Sequence, residues 1–143
     1  MIQSQLKSQA QDIAAEFAGV DLKDLAQRFS FPIVVYLGKE ILLLKTSEEF
    51  ERALSKYRSV LSDEPLSKIS SKLIDFSNED EGLCKFSVRN QYLASDGRNL
   101  GADRINFYSD VSLGNPKIRM LEFLEWPCAK DLSGCEEFRT NIL

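Results

Sequence analysis

Hydrophobic positions in this chain change their period once. Up to residue 61 they recur three or four apart, apart from one short interruption, and from Ser67 onward they alternate. The first regime predicts helices. Ile2, Leu6, Ala10, Ile13, Ala14 and Phe17 share one face of a helix over residues 2–18, which Gly19 ends. Asp21 then caps a short helix over 22–29, with Val20 and Leu25 placed as a hydrophobic staple. The interruption is Phe31-Pro32 and the β-branched run Ile33–Leu37, followed by Gly38-Lys39 and Glu40–Leu44. Glycine at the first position of a two-residue loop predicts a type II′ hairpin. Thr46-Ser47-Glu48-Glu49 is a capping box. The helix it opens carries Phe50, Ala53, Leu54, Tyr57, Val60 and Leu61 on one stripe, with Pro65 beyond its end.

The second regime predicts four consecutive strands. The first is Lys68–Phe76, followed by a turn over residues 78–82. The second, Leu83–Ala94, sets Cys84, Phe86, Val88, Asn90 and Tyr92 against Lys85, Ser87, Arg89 and Gln91. After the turn Ser95-Asp96-Gly97-Arg98, Arg104–Leu113 sets Ile105, Phe107, Ser109 and Val111 against Asn106, Tyr108 and Asp110. Gly114-Asn115-Pro116 turns into the last strand, within residues 115–127. Its apolar residues fall on both faces, as expected of a central strand covered on both sides. Helices first and strands later predict an α+β domain over residues 1–127, with helices packed on one face of a strongly bent antiparallel sheet. Residues 128–143 read as a polar tail with Phe138 as its anchor.

Three stretches carry a family resemblance. They are Phe31–Gly38 running into Ile41–Leu44, Thr46–Phe50 with Tyr57-Arg58, and Lys117–Phe123 followed by a proline. Over about residues 5–127 the chain resembles the nuclear transport factor 2-like superfamily, in its polyketide-cyclase-like (SnoaL-like) branch. The resemblance implies a cone-shaped α+β fold, a pocket between concave sheet and helices, and a homodimer formed through the sheet. Catalytic members of the superfamily use acid–base pairs. Its cyclase-like and dehydratase-like sets need a histidine, which this chain lacks. Its steroid-isomerase-like set implies an Asp base with a Tyr and a protonated Asp facing an oxyanion. The first helix here offers Phe17 and no tyrosine.

Composition narrows the chemistry. The absence of histidine excludes Ser-His-Asp and Cys-His nucleophiles, His-ligated metals and a His base. Asp, Glu, Tyr, Lys and Cys remain. Net charge is −4 and no basic run exceeds two residues, which argues against nucleic acid and anionic membrane surfaces. No apolar run approaches the ~20 residues of a membrane span, and no signal-peptide core follows Met1. Cys84, Cys128 and Cys135 are an odd count at no metal-ligand spacing, so they read as thiols in a cytoplasmic protein. The acidic run 78–81 lacks the glycine and register of a calcium loop. No metal or other cofactor is expected.

Six residues are candidates for a site. Glu122 alternates with Ile118, Met120, Leu124 and Trp126, so it is read as an acid on the concave face and a general acid or base. The competing reading is a bulge that turns it to water. Asn90 and Tyr92 share an apolar face with Phe86 and Val88 and read as ligand-orienting groups, or as rim residues bonded to backbone or water. Tyr57, Tyr36 and Ser109 are further pocket-lining candidates, each with a purely structural alternative. Arg89 and Arg119 read as outward charges. Leu121, Phe123 and Tyr108 read as an outward apolar patch covered by a second copy. The function expected is binding of a small apolar molecule in the cone. The alternatives are isomerase- or cyclase-like proton transfer by Glu122, or an interaction module whose cone is filled by Phe17, Phe50, Phe86 and Phe107.

Overall fold

A computed structural model of the chain describes residues 2–19, 22–38, 40–61, 68–78, 82–110 and 116–125. The expected Asp21 cap, the acidic residues 79–81, Cys128, Cys135 and the tail lie outside these. Helix α1 runs Ile2–Ala18, α2 runs Lys23–Ala26 and α3 runs Ser47–Leu61. Strands are β1 (Phe29–Leu37), β2 (Glu40–Leu44), β3 (Lys68–Asn78), β4 (Leu83–Leu93), β5 (Asn99–Asp110) and β6 (Lys117–Glu125).

Helices α1 and α3 form where the sequence puts them, whereas α2, expected over 22–29, ends at Ala26, and Phe29 already belongs to β1. The Glu49 amide donates to Thr46 Oγ1 at 3.2 Å, and Glu49 Oε2 accepts from the Lys45 amide at 2.7 Å. The capping box is thus closed one residue earlier than its simplest form. Leu6, Ala10, Ile13, Ala14 and Phe17 of α1 are buried, as are Phe50, Ala53 and Tyr57 of α3. The end of α1 is held from α3: Arg58 Nη1 donates to the Phe17 carbonyl at 2.9 Å and also to that of Gly19. These bonds satisfy carbonyls that a helix end leaves without partners. Arg28, at the entry to β1, grips Glu16 of α1 through Nε (2.6 Å) and Nη2 (3.0 Å).

One six-stranded sheet has the order β2-β1-β6-β5-β4-β3, which places β6 in the middle as its two-sided apolar pattern requires. The β1–β6 pair is parallel and the others are antiparallel, so the sheet is mixed. Strand β4 keeps its expected faces: Cys84, Phe86, Val88, Asn90 and Tyr92 are all buried against the helices. Strand β5 begins at Asn99, five residues earlier than expected.

Strand β6 departs from its expected register. Tyr108 pairs with Met120 but Ser109 pairs with Ile118, which leaves Arg119 as an extra residue. One extra residue reverses the parity of everything after it. Ile118 is buried, and beyond the bulge it is Leu121 and Phe123 that point inward, both buried. The outward patch expected from Leu121 and Phe123 is therefore wrong for those two residues. Met120 and Glu122 take the outer face.

Candidate functional site

Between the inner face of the sheet and helices α1 and α3 lies a cavity of about 60 Å³. That is room for on the order of four waters. Ile13, Phe17, Phe50 and Leu54 wall it on the helix side, with Val88, Ile105, Leu121 and Phe123 on the sheet side. Phe107 also lines it, and behind that ring Phe86 is stacked with centroids 5.1 Å apart and planes inclined by 12°. Tyr57, Asn90 and Tyr92 are the polar members of the lining.

These three groups converge on a carboxylate that the sequence reading passed over. Asp103 of β5 is 1% exposed. Tyr57 Oη donates to its Oδ2 at 2.7 Å, Tyr92 Oη donates to the same oxygen, and Asn90 Nδ2 donates to Oδ1 at 2.9 Å. The β4–β5 register sets Asn90 opposite Asp103, with Tyr92 two residues further along the same face. The α3 stripe delivers Tyr57 from above. Rings brace the hydroxyls: Phe17 lies 6.0 Å from Tyr57 and 6.2 Å from Tyr92, and Phe123 lies 5.5 Å from Tyr57, centroid to centroid.

Burial pushes the Asp103 carboxyl up from 3.8 to about 6, against the opposing pull of its three donors. Burial also pushes both tyrosines well above 10, and the neighbouring Asp103 charge adds to this. The cluster therefore carries one exchangeable proton near neutrality, on Asp103.

No protein-family model matches this sequence, and no curated protein does. Solved structures match its shape. An NTF2-like protein from Anabaena variabilis superposes with a TM-score of 0.57 at 13% identity, over 82% of this chain and 84% of its own. A domain of unknown function with a cystatin-like fold from Nostoc punctiforme reaches 0.66 at 9% identity, over 96% of this chain and 85% of its own. This chain has the nuclear transport factor 2-like fold. Aln2 from a Streptomyces species is a further structural neighbour, with a TM-score of 0.60 at 14% identity over 87% of this chain and 88% of its own. Likeness at such identities is likeness of fold, and the site has to be argued from its own residues.

In this nuclear transport factor 2-like cone, Tyr57, Asn90 and Tyr92 stand together at the cavity. Ser109 is 1% exposed on the inner face but beyond the cavity, and its Oγ has no hydrogen-bond partner among the described residues. Glu122 does not face the cone, because the Arg119 bulge turns it to the outer face. There Oε1 accepts from Asn106 Nδ2 at 2.9 Å and from Tyr108 Oη at 3.2 Å, and Ser87 Oγ donates to Asn106 Oδ1. Tyr36 pairs with Glu122 across β1 and β6 and shares that outer face, because Ile33, Val35 and Leu37 take the inner one. Asp103 was legible in one respect: the alternation of Ile105, Phe107 and Ser109, extended back by one step, lands on it.

The raised carboxyl has a consequence for stability. Folded Asp103 keeps its proton to a higher pH than the unfolded chain does. Its contribution is full below about 3.8 and is lost as pH rises through about 6. Across that window it amounts to about 3 kcal/mol. Urea denaturation of wild type and Asp103→Asn between these limits should show wild type losing stability relative to the variant by that order as pH rises. Parallel pH profiles would contradict the burial of the carboxylate.

Proposed function

We propose that this chain binds a small, mainly apolar molecule inside the cone, with its one polar group set against Tyr57, Tyr92 and Asn90. The observation that carries this reading is an apolar cavity of about 60 Å³ whose polar lining is gathered at one point and held by a buried carboxylate. A pocket mostly apolar with a few convergent polar groups is the usual form of a small-molecule site. The isomerase- or cyclase-like alternative rested on Glu122, which faces the other way. The proposal retains a cytoplasmic setting and a domain over 1–127 with a tail over 128–143. Among the described residues no helix is long and apolar enough to cross a membrane.

A second reading concerns the outer face, where the homodimer expected from the sequence would form. Its support is now a different set of side chains. Ile41 and Leu43 of β2, which pair with Tyr36 and Val34, are 61% and 53% exposed. Tyr36 and Met120 lie beside them, half-buried, on adjoining strands. Exposed apolar groups on one sheet face favour a self-complementary contact between two copies.

Two experiments test these readings. Xenon, an apolar probe small enough for this cavity, dissolved into isotopically labelled protein should give saturable NMR shifts at Val88, Ile105 and Leu121, with a Kd of roughly millimolar order or weaker. Ala14→Phe, which fills the cavity, should weaken binding at least about tenfold. Shifts that never saturate, or that spread over the surface, would remove the binding reading. For the dimer, light scattering on a sizing column should give the mass of two chains, and Leu43→Lys with Ile41→Lys should give the mass of one. Wild type eluting as a monomer at about 0.1 mM, a concentration at which even a weak dimer with a Kd in the micromolar range forms, would end that reading.

A further inference from the structure

Three cations stand in one row on the outer face of the sheet. Lys72 of β3 pairs with Arg89 of β4, and Arg89 pairs with Arg104 of β5. Val88, Asn90, Asp103 and Ile105, their neighbours along the strands, are buried on the inner face, so the row lies on the other. Like charges directly opposite one another on a sheet are destabilising. The chain is acidic, with a net charge of −4, so composition alone does not force cations together. Lys72 and Arg89 are exposed and Arg104 is half-buried. None of the three joins an ion pair among the described residues. Arg104 Nε is shut off from solvent and has no hydrogen-bond partner among the described residues either. A buried donor left unpaired keeps its full desolvation cost.

Acids stand near enough to relieve the row and are used elsewhere or left apart. Glu125 is opposite Arg104 but makes no ion pair with it. In the next row, Glu122 accepts from Asn106 and Tyr108, and Asp75 accepts from the Phe76 amide. Local rules broken in this way mark functional positions.

The shape of the row limits what could answer it. It spans two strand spacings, about 10 Å. On one side it is bordered by the uncharged Ser70, Gln91 and Ala102, and on the other by the row that holds Asp75 and Glu122. A lone small anion on a sheet face would be held by largely exposed charges, which are worth little singly. A long polyanion such as nucleic acid would run past the row onto Asp75, Glu122 or Glu125 and be repelled. A short run of carboxylates on a polypeptide meets both limits. It matches the row in length, engages several cations at once, and can lay its backbone along the Ser70–Gln91 side. The planar fork of arginine suits carboxylates in particular.

We propose that the Lys72–Arg89–Arg104 row is a docking site for a short acidic segment of a partner protein. The row lies on β3, β4 and β5, whereas the exposed Ile41 and Leu43 lie on β2 at the opposite edge of the sheet, so this docking needs neither the ligand cone nor the dimer.

The probe is a tetraglutamate peptide, acetylated and amidated so that its side chains are its only charges, titrated into the isotopically labelled full chain at about 20 mM salt. Saturable NMR shifts should centre on Lys72, Arg89, Gln91 and Arg104, with a Kd on the order of 0.1 mM. At about 200 mM salt the Kd should rise at least about fivefold. Arg89→Gln should weaken binding at least about fivefold, and Arg89→Gln with Lys72→Gln should remove it. These changes relieve repulsion, so both variants should unfold thermally at the wild-type temperature or above it. A row that merely braces the sheet would lose stability instead, and a lowered transition in both variants would overturn the docking role. So would shifts that never saturate, or a Kd unmoved by Arg89→Gln. A short oligothymidylate binding as tightly as the peptide would overturn it in favour of nucleic acid. Inorganic phosphate giving the same shifts at the same Kd would overturn it in favour of a free anion.

Discussion

Everything at the centre of this fold answers to one constraint: a carboxylate buried in an apolar cone must be satisfied. Leaving it bare would cost several kcal/mol, a large part of a domain's margin of stability. Tyr57, Tyr92 and Asn90 meet that need, and they come from two elements far apart in sequence. The same bonds therefore dock α3 on β4 and β5, and they turn the hydroxyls of two core tyrosines toward one point. The rest of the cavity wall is hydrocarbon. The polar character of the cone is thus a by-product of making Asp103 bearable, and function can draw on it.

The two faces of the sheet divide the chemistry. The inner face carries Asp103 and its donors, beneath α1 and α3. The outer face carries a separate chain of bonds, Ser87 to Asn106 to Glu122, with Tyr108 also on Glu122. Glu122 is positioned by neighbours as thoroughly as a catalytic acid is, but on the face opposite the cone, which bears exposed apolar groups. A bulge at Arg119 decides this allocation: without it, Glu122 would enter the cone and Leu121 and Phe123 would leave it.

Much of the fold was legible where pattern and structure use the same local rules. The α1 stripe, the Thr46 cap and the clean alternation of β4 each follow from residues near in sequence. The α+β order and the central place of β6 follow from them. What stayed hidden was non-local or ambiguous. Parallel pairing of β1 with β6 joins segments that the whole domain separates. The Arg119 bulge leaves no mark in a strand whose residues are apolar on both faces. Asp103 was masked by its company, since Asn99, Gly101 and Asp103 read as loop, and a strand start placed at Arg104 excluded it by one residue. Tyr57, Asn90 and Tyr92 were found because each sits on an otherwise apolar face, but the group that unites them was not.

The most direct test of the buried cluster is a ¹³C NMR titration of the Asp103 side-chain carboxyl, assigned with Asp103→Asn. The expected midpoint is about 6, with Tyr57 and Tyr92 ring signals shifting at the same midpoint. A midpoint near the ordinary 3.8, with the tyrosine signals unmoved, would mean a solvated carboxylate and would contradict the cluster on which the whole reading stands.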